Sequence, residues 1–349
     1  MWRKIMNKKS EFLKNKVQHI NIAETNICTL IDAMQHTAFQ ARNLARAADI
    51  YHKMLEDKEC TIILCIAGSM VSSGMKKIIV DMIKNKMIDA IVSNGANIVD
   101  QDFFEGLGFS HYQGSPTLDD NQLRELAIDR IYDTLINEDD LRVCDNTILE
   151  IANSLKPKAY SSREFIIAMA QYLIKRNQGQ DSIIRNAYEN QVPIFVPAFS
   201  DCSAGFGLVM HQEQHPDAHV QIDSVKDFRE LTQLKIKSKE TGLFMLGGGV
   251  PKNFAQDIVV AAEMLQEDVA MHKYAIQITV ADERDGALSG STLKEACSWG
   301  KVDTTYEQMI YCEATIALPL LAAYAYHKGA WKNRSARQCN AIFPQVEYL

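Results

Sequence analysis

The 349-residue chain has no CxxC pair, and its eight cysteines (Cys28, Cys60, Cys65, Cys144, Cys202, Cys297, Cys312 and Cys339) follow no framework spacing. That points away from a disulfide scaffold and toward buried thiols in a reducing, cytoplasmic compartment. No apolar run is long enough to cross a bilayer. The longest, Ala314 to Tyr326, contains Pro319 and reads as a core helix. The basic N-terminus, Met1 to Lys16, is broken by Asn, Lys and Glu and lacks the apolar stretch of a secretory signal. A soluble protein with no membrane partner is expected. Positive charge is in deficit, with 37 basic against 44 acidic residues and a formal charge of -7. This argues against a nucleic-acid partner and leaves room for cationic substrates. Solenoid repeats, low-complexity tracts and Pro/Gly/Ser linkers are absent as well, so the length is read as one large α/β domain or two small ones.

What is present is a change of period. Residues 1–57 form an N-terminal helical extension, with Ile20, Ile27, Leu30, Met34, Leu44 and Ala47 at roughly helical spacing. Residues 58–349 switch to short apolar runs alternating with amphipathic stretches. The runs are Thr61–Ile66, Ile88–Val92, Pro193–Val196, Leu243–Leu246 and Tyr274–Thr279. Runs apolar at nearly every position suit strands covered on both faces, and segments such as Met75–Asn85 and Asn253–Leu265 suit crossover helices. The expected fold is α/β, a doubly wound, mostly parallel sheet of Rossmann-like type. It carries the N-terminal helical layer and a helical insertion over 103–190, in which Ser161 caps a helix from Ser162 to Ile174.

Ligands of such sheets bind beyond the carboxyl ends of the strands. The residues found there are small and hydroxylic: Ala67 to Gly74 with Gly68, Ser69, Met70, Val71 and Ser72; Ser93 to Asn97 with Asn94, Gly95 and Ala96; Ser200 to Gly205 with Asp201; and Gly247 to Val250 with Gly248. Any one such turn needs glycine regardless of ligand, but four together favour a nucleotide, with backbone amides approaching a phosphate. The GxGxxG fingerprint is missing, so a dinucleotide would bind in a variant manner, its ribose held by Asp201 or Glu313. A second signal is the segment Ala287 to Lys301, a capped helix leading to Trp299, Gly300 and Lys301. Lysine attacks carbonyl or imine carbons when its surroundings favour the neutral amine. Trp299 could hold an alkylammonium over its ring, with Glu295 as countercharge. By residue type alone, Lys301 is more often a surface lysine and Trp299 a core anchor. Two further signals are weak: His211, His215 and His219 have metal-ligand spacing, but Pro216 breaks the helix they need, so no metal is expected, and Cys202 reads as a buried filler.

The string Glu295-Ala296-Cys297-Ser298-Trp299-Gly300-Lys301 resembles the E-A-x-S-W-G-K signature of deoxyhypusine synthases. The likeness extends through Val71 to Gly74, Pro197 to Gly205, Gly247 to Val250 and Asp285-Gly286, covering roughly residues 58 to 330. It implies that Lys301 is the covalent residue and that NAD is the cofactor. NAD would be held by Gly68 to Ser72, Asn94 to Ala96, Asp201, Gly248, Val280, Ala281, Glu313 and Ala314. Glu295 and Trp299 would line a polyamine tunnel, in a homotetramer with active sites at subunit interfaces. Departures fall on the amine-binding positions. Phe206 and Leu288 stand where the family has acidic residues and Asn253 where it has histidine. Asp100 and Gln101 replace paired glutamates, and Glu313 replaces an aspartate. The resemblance thus implies aminobutyl transfer from a polyamine through an imine on Lys301. The acceptor would be a small amine such as putrescine or, alternatively, a lysine of the hypusine-bearing translation factor. A NAD-binding sensor without catalysis is the alternative of another class.

Overall fold

A computed structural model describes residues 16–285 and 291–344. Its centre is a six-stranded sheet built from β1 (Cys60–Ile66), β2 (Ala90–Ser93), β3 (Ile194–Phe195), β4 (Glu240–Leu246), β5 (His272–Thr279) and β6 (Val302–Tyr311). The strands run parallel in the order β6-β5-β4-β1-β2-β3. Chain order therefore reverses between β1 and β4, and that is where a doubly wound sheet opens a crevice. Every residue of β1 is buried, and the strand supplies both layers of the core by simple alternation. Ile62, Leu64 and Ile66 face the helices Phe39–Glu56 and Ala314–Lys328. Ile63 and Cys65 face Ser224–Lys237 and Gly249–Met264.

The five expected strands and the doubly wound plan are present, and the capping box at Ser161 and Glu164 starts the helix Ser162–Lys175. The N-terminal helices Ile27–Met34 and Phe39–Glu56 are a layer of the same core as the sheet, with Tyr51 at 4.8 Å from the Phe244 ring. Two corrections are needed. The insertion is not wholly helical: Tyr112–Gln113, Ile128–Ile131 and Thr134–Asn137 form a small antiparallel sheet. The edge strand β6 was also missed, because Asp303, Thr304, Thr305, Glu307 and Gln308 interrupt its apolar run. The longest apolar run is the helix Ala314–Lys328, and among the described residues no helix is long and apolar enough to cross a membrane.

The amino ends of the strands are closed by the C-terminal segment. The Arg334 guanidinium sits 2.5 Å from Asp89 and also donates to the carbonyls of Met54, Cys60 and Lys86. Asp89 in turn accepts from the Ile62 amide at 2.8 Å. Asp89→Ala leaves a buried guanidinium unpaired and should lower unfolding free energy by about 3–5 kcal/mol in urea titration; a loss below about 1 kcal/mol contradicts the assignment. A buried lysine nearby gives a second test. Lys235 donates to Thr241 Oγ1 at 2.7 Å, and burial pushes its ammonium down to about 8. The folded chain gives up this proton before the unfolded chain does, so unfolding takes up a proton between the two pKa values. Wild-type stability should therefore rise relative to Lys235→Met from pH about 8 to about 10, whereas a pH-independent difference would refute it.

Candidate active site

At the switch point between β1 and β4 lies a cavity of about 970 Å³, walled by the residues that follow β1, β4, β5 and β6. Gly68, Ser69, Met70, Ser72, Val280, Glu313 and Ala314 line it, seven of the residues singled out in the sequence. Gly68 has φ +70, and a Cβ placed on it would meet nothing within 4 Å, so this turn presents bare backbone to open space. Glu313 caps the helix Ala314–Lys328. Partial burial opposes its charge, but hydrogen bonds from Thr315 and the Ile316 amide hold it below the usual carboxylate range. An ionised acceptor thus stands in the crevice wall.

The first turn differs from expectation in one respect. The amides of Met70 and Val71 donate to Asn97 Oδ1, and that of Ser72 donates to Gln101 Oε1. These three amides are therefore engaged within the fold and do not face a phosphate. Asn94 braces the same turn by donating to the Gly68 carbonyl at 2.9 Å. Gly248 closes β4 and starts the helix Gly249–Met264, and the Ala281 amide donates to Thr279 Oγ1. Gly95, Ala96, Asp201 and Phe206 lie beyond β2 and β3, outside the cavity lining. There a Cβ on Gly95 would stand 2.5 Å from Cys202 Sγ, so glycine permits that close packing. Asp100 accepts from the Ser203 amide at 2.7 Å and caps the helix Ser203–Gln214; burial raises its carboxyl to about 6.

The opposite wall of the cavity comes from the small antiparallel sheet. Gln113, Tyr132, Asp133 and Thr134 line it, and none was anticipated. The available signal was a pair of short alternating strands, Ile128–Ile131 and Thr134–Asn137, around the two-residue turn Tyr132-Asp133.

The lysine motif occupies another part of the molecule. Thr292 and Glu295 form a capping box that starts a six-residue helix, Leu293–Ser298. The helix ends when Gly300 takes φ +70, with the Gly300 amide donating to Cys297 and the Lys301 amide to Ala296. This geometry needs glycine and feeds the chain straight into β6. The Lys301 carbonyl accepts from the His272 amide, so its backbone lies at the amino end of β5, roughly 25 Å along the strand from Val280. Its side chain reaches the half-buried outer face of the helix Gly249–Met264. There Nζ stands 2.5 Å from Asp257 Oδ1 and 5.2 Å from the Trp299 ring centre. Asn253 lies one helical turn before Asp257. Trp299 is 67% exposed, and hydrogen bonds from the Thr292 amide and hydroxyl keep Glu295 below the usual carboxylate range.

Lys252, on the same helix, is buried; its Nζ donates to the Ser291 carbonyl, and burial pushes it down to about 8. Leu288 lies outside the described residues. Among the described residues no group of three or more His, Cys, Asp or Glu side chains could hold a metal ion. His211 instead bonds to Asn153 and to the Val220 amide.

A family model for deoxyhypusine synthase matches residues 29–325. A deoxyhypusine synthase-like protein of Chlorobaculum parvum is 64% identical over 96% of both chains. One from Coxiella burnetii is 60% identical, also over 96% of each. A probable deoxyhypusine synthase 2 of Methanosarcina mazei is 40% identical over 93% of this chain and 92% of its own. The fold is shared with a crystallised deoxyhypusine synthase candidate of Entamoeba histolytica, with a TM-score of 0.61 at 20% identity, covering 89% of this chain and 97% of the other. The crevice, the lysine motif and the likeness along nearly the whole chain agree, and the chain belongs to the deoxyhypusine synthase family, whose members are NAD-dependent transferases.

Proposed function

We propose that this protein is a cytoplasmic aminobutyltransferase that takes its group from a spermidine-like polyamine, carries it as an imine on Lys301 and delivers it to a small amine such as putrescine. The observation that carries the reading is the placement of the half-buried Lys301 Nζ between a carboxylate and the indole of exposed Trp299. Both features attract alkylammonium groups, one by charge and the other by its ring quadrupole.

The crevice fits NAD. It lies at the switch point, its volume is within the range of small-molecule clefts, and it offers bare backbone at Gly68 beside the ionised Glu313. Gly68, Ser69, Val280, Glu313 and Ala314 would hold the dinucleotide, which when bound supplies a place for hydride to rest and return. Within one chain the crevice and Lys301 Nζ do not meet. Asp257 lies eight residues into its helix, about 12 Å below the crevice rim. The reading therefore needs the lysine face of a neighbouring subunit, in keeping with a homotetramer. Exposed Val250, Trp299, Val280 and Ile316 are apolar groups that such an assembly would cover.

The chain's own groups then do the following work. Trp299 and the carboxylates position the amine, and Lys301 as a free amine adds to the oxidised carbon of the donor. Departure of diaminopropane leaves the four-carbon unit on Nζ. The acceptor amine adds to the same carbon and releases Lys301 as the free amine, and the hydride held by the dinucleotide would reduce the imine so formed. Asn253 and Phe206, in place of amine-gripping charges, mark an amine pocket that has diverged from the family's.

Two measurements test this. With NAD and spermidine, borohydride should add the mass of an aminobutyl group to Lys301. Putrescine should yield homospermidine, while Lys301→Arg loses roughly a thousand-fold or more in turnover. Product formed only on a translation-factor lysine would overturn the acceptor assignment, and full activity of Lys301→Arg the covalent route. Gly68→Val puts a branched side chain at positive φ into the crevice. It should raise the NAD Kd at least about tenfold in titration calorimetry, and an unchanged Kd would remove NAD from this cavity.

A further inference from the structure

Asp257 has no counterpart among the residues singled out from the sequence, yet it touches the reactive nitrogen. Its Oδ1 stands 2.5 Å from Lys301 Nζ in an ion pair, and among the described residues that buried oxygen accepts no hydrogen bond. Asp257 is 41% exposed at the side chain and Lys301 18%, so the pair is open to a substrate on the carboxylate side and sheltered on the amine side. Among the described residues, Lys252 of the same helix lies close enough to repel Lys301, and Glu295 of the capping box faces Lys252. Lys252 is tied to the Ser291 carbonyl and Glu295 to Thr292. Among the described residues Asp257 is thus the one carboxylate placed on Lys301 itself.

A lysine adds to an imine carbon through its neutral amine, so a group at contact distance that can take up the proton bears on the step. The ion pair seen here is therefore a resting state that the reaction must discharge. We infer that Asp257 is a catalytic residue that takes the proton from Lys301 and passes it to the departing amine. This rests on the reading of Lys301 as the imine-forming residue.

The steps balance as follows. Asp257 accepts one proton from the Lys301 ammonium, leaving a neutral amine and a carboxylic acid. The amine's lone pair forms a bond to the donor's iminium carbon, and the C=N π electrons return to the donor nitrogen. Asp257 gives its proton to that nitrogen and takes a second from the Lys301 nitrogen. The C–N bond to the donor nitrogen breaks with its electron pair, and the second proton follows to the leaving amine. The products are a protonated imine on Lys301, a diamine ammonium and ionised Asp257. Two protons have moved from lysine to leaving group, one bond has formed and one has broken, and no electrons have been gained or lost overall. The exposed side of the carboxylate suits this delivery, because the leaving amine departs toward solvent as a cation that Asp257 attracts.

The test is the rate of borohydride-trappable adduct on Lys301 in the full-length protein with NAD and spermidine, for wild type, Asp257→Asn, Asp257→Glu and Asp257→Ala. NAD affinity and oligomeric state are measured for each variant. Asp257→Asn should form adduct about a hundred-fold more slowly at neutral pH. Its rate should climb with pH, since solvent must now remove the lysine proton, while wild type stays level over the same range. Asp257→Glu should recover most of the rate, and formate should rescue Asp257→Ala in a concentration-dependent way. Should Asp257→Asn fail to assemble, the Glu variant and formate rescue decide the matter. Wild type that traps beside an Asp257→Asn of similar rate and pH profile overturns the role of Asp257 alone. Wild type that never traps overturns the reading of Lys301 and this inference with it.

Discussion

The pairing of β1 with β4 is the constraint on which the rest depends. Cys60 to Ile66 lie in parallel register with Glu240 to Leu246, although the whole insertion and the β2 and β3 units intervene in the chain. Because both strands are buried over almost all their length, neither can slip by a residue without moving its apolar set from one layer to the other. Their carboxyl ends are then fixed side by side, and the loops that leave them must diverge to opposite halves of the sheet. The crevice between Gly68 and Gly247 is what remains open when they do.

How far the sequence announces this depends on which physical signal each part carries. The central strands are covered on both faces and write themselves as unbroken apolar runs, so β1, β4 and β5 are legible. β6 lies at the sheet edge, where polar residues are tolerated on the uncovered side, and its Thr, Glu and Gln hide it. The small antiparallel sheet is hidden by its turn: Tyr132 adopts φ +53 without glycine or asparagine, so the usual punctuation is absent. Glycine-rich turns were readable as turns, but not the side chains that occupy their amides. Asn97 and Gln101 sit on the π-helical stretch Ala96–Phe103 after β2 and reach across to the loop after β1, a contact set by tertiary geometry alone.

The lysine site shows the same division. Its local shape, from the capping box at Thr292 to the left-handed Gly300, is encoded within ten residues. Its chemical surroundings are not. Asp257 comes from a different helix and is unremarkable in sequence, one acid among many on an amphipathic surface, yet it contacts Nζ. A residue's partner across elements is a property of the packed layers, and the helix Gly249–Met264 lies over β1 and β2, with Ala255 and Ile258 in one apolar cluster with Ile63, Cys65, Ala90 and Val92.

The tether of Arg334 to Asp89 has a consequence for biosynthesis. Asp89 leaves the ribosome 245 residues ahead of its guanidinium partner, which follows every strand of the central sheet. Until Arg334 follows, the lower rim of β1 and β2 holds an uncompensated anion that water must solvate, so this rim stays hydrated while the nascent sheet grows. Arrival of Arg334, rather than completion of any one strand, seals the barrier between solvent and core at that end.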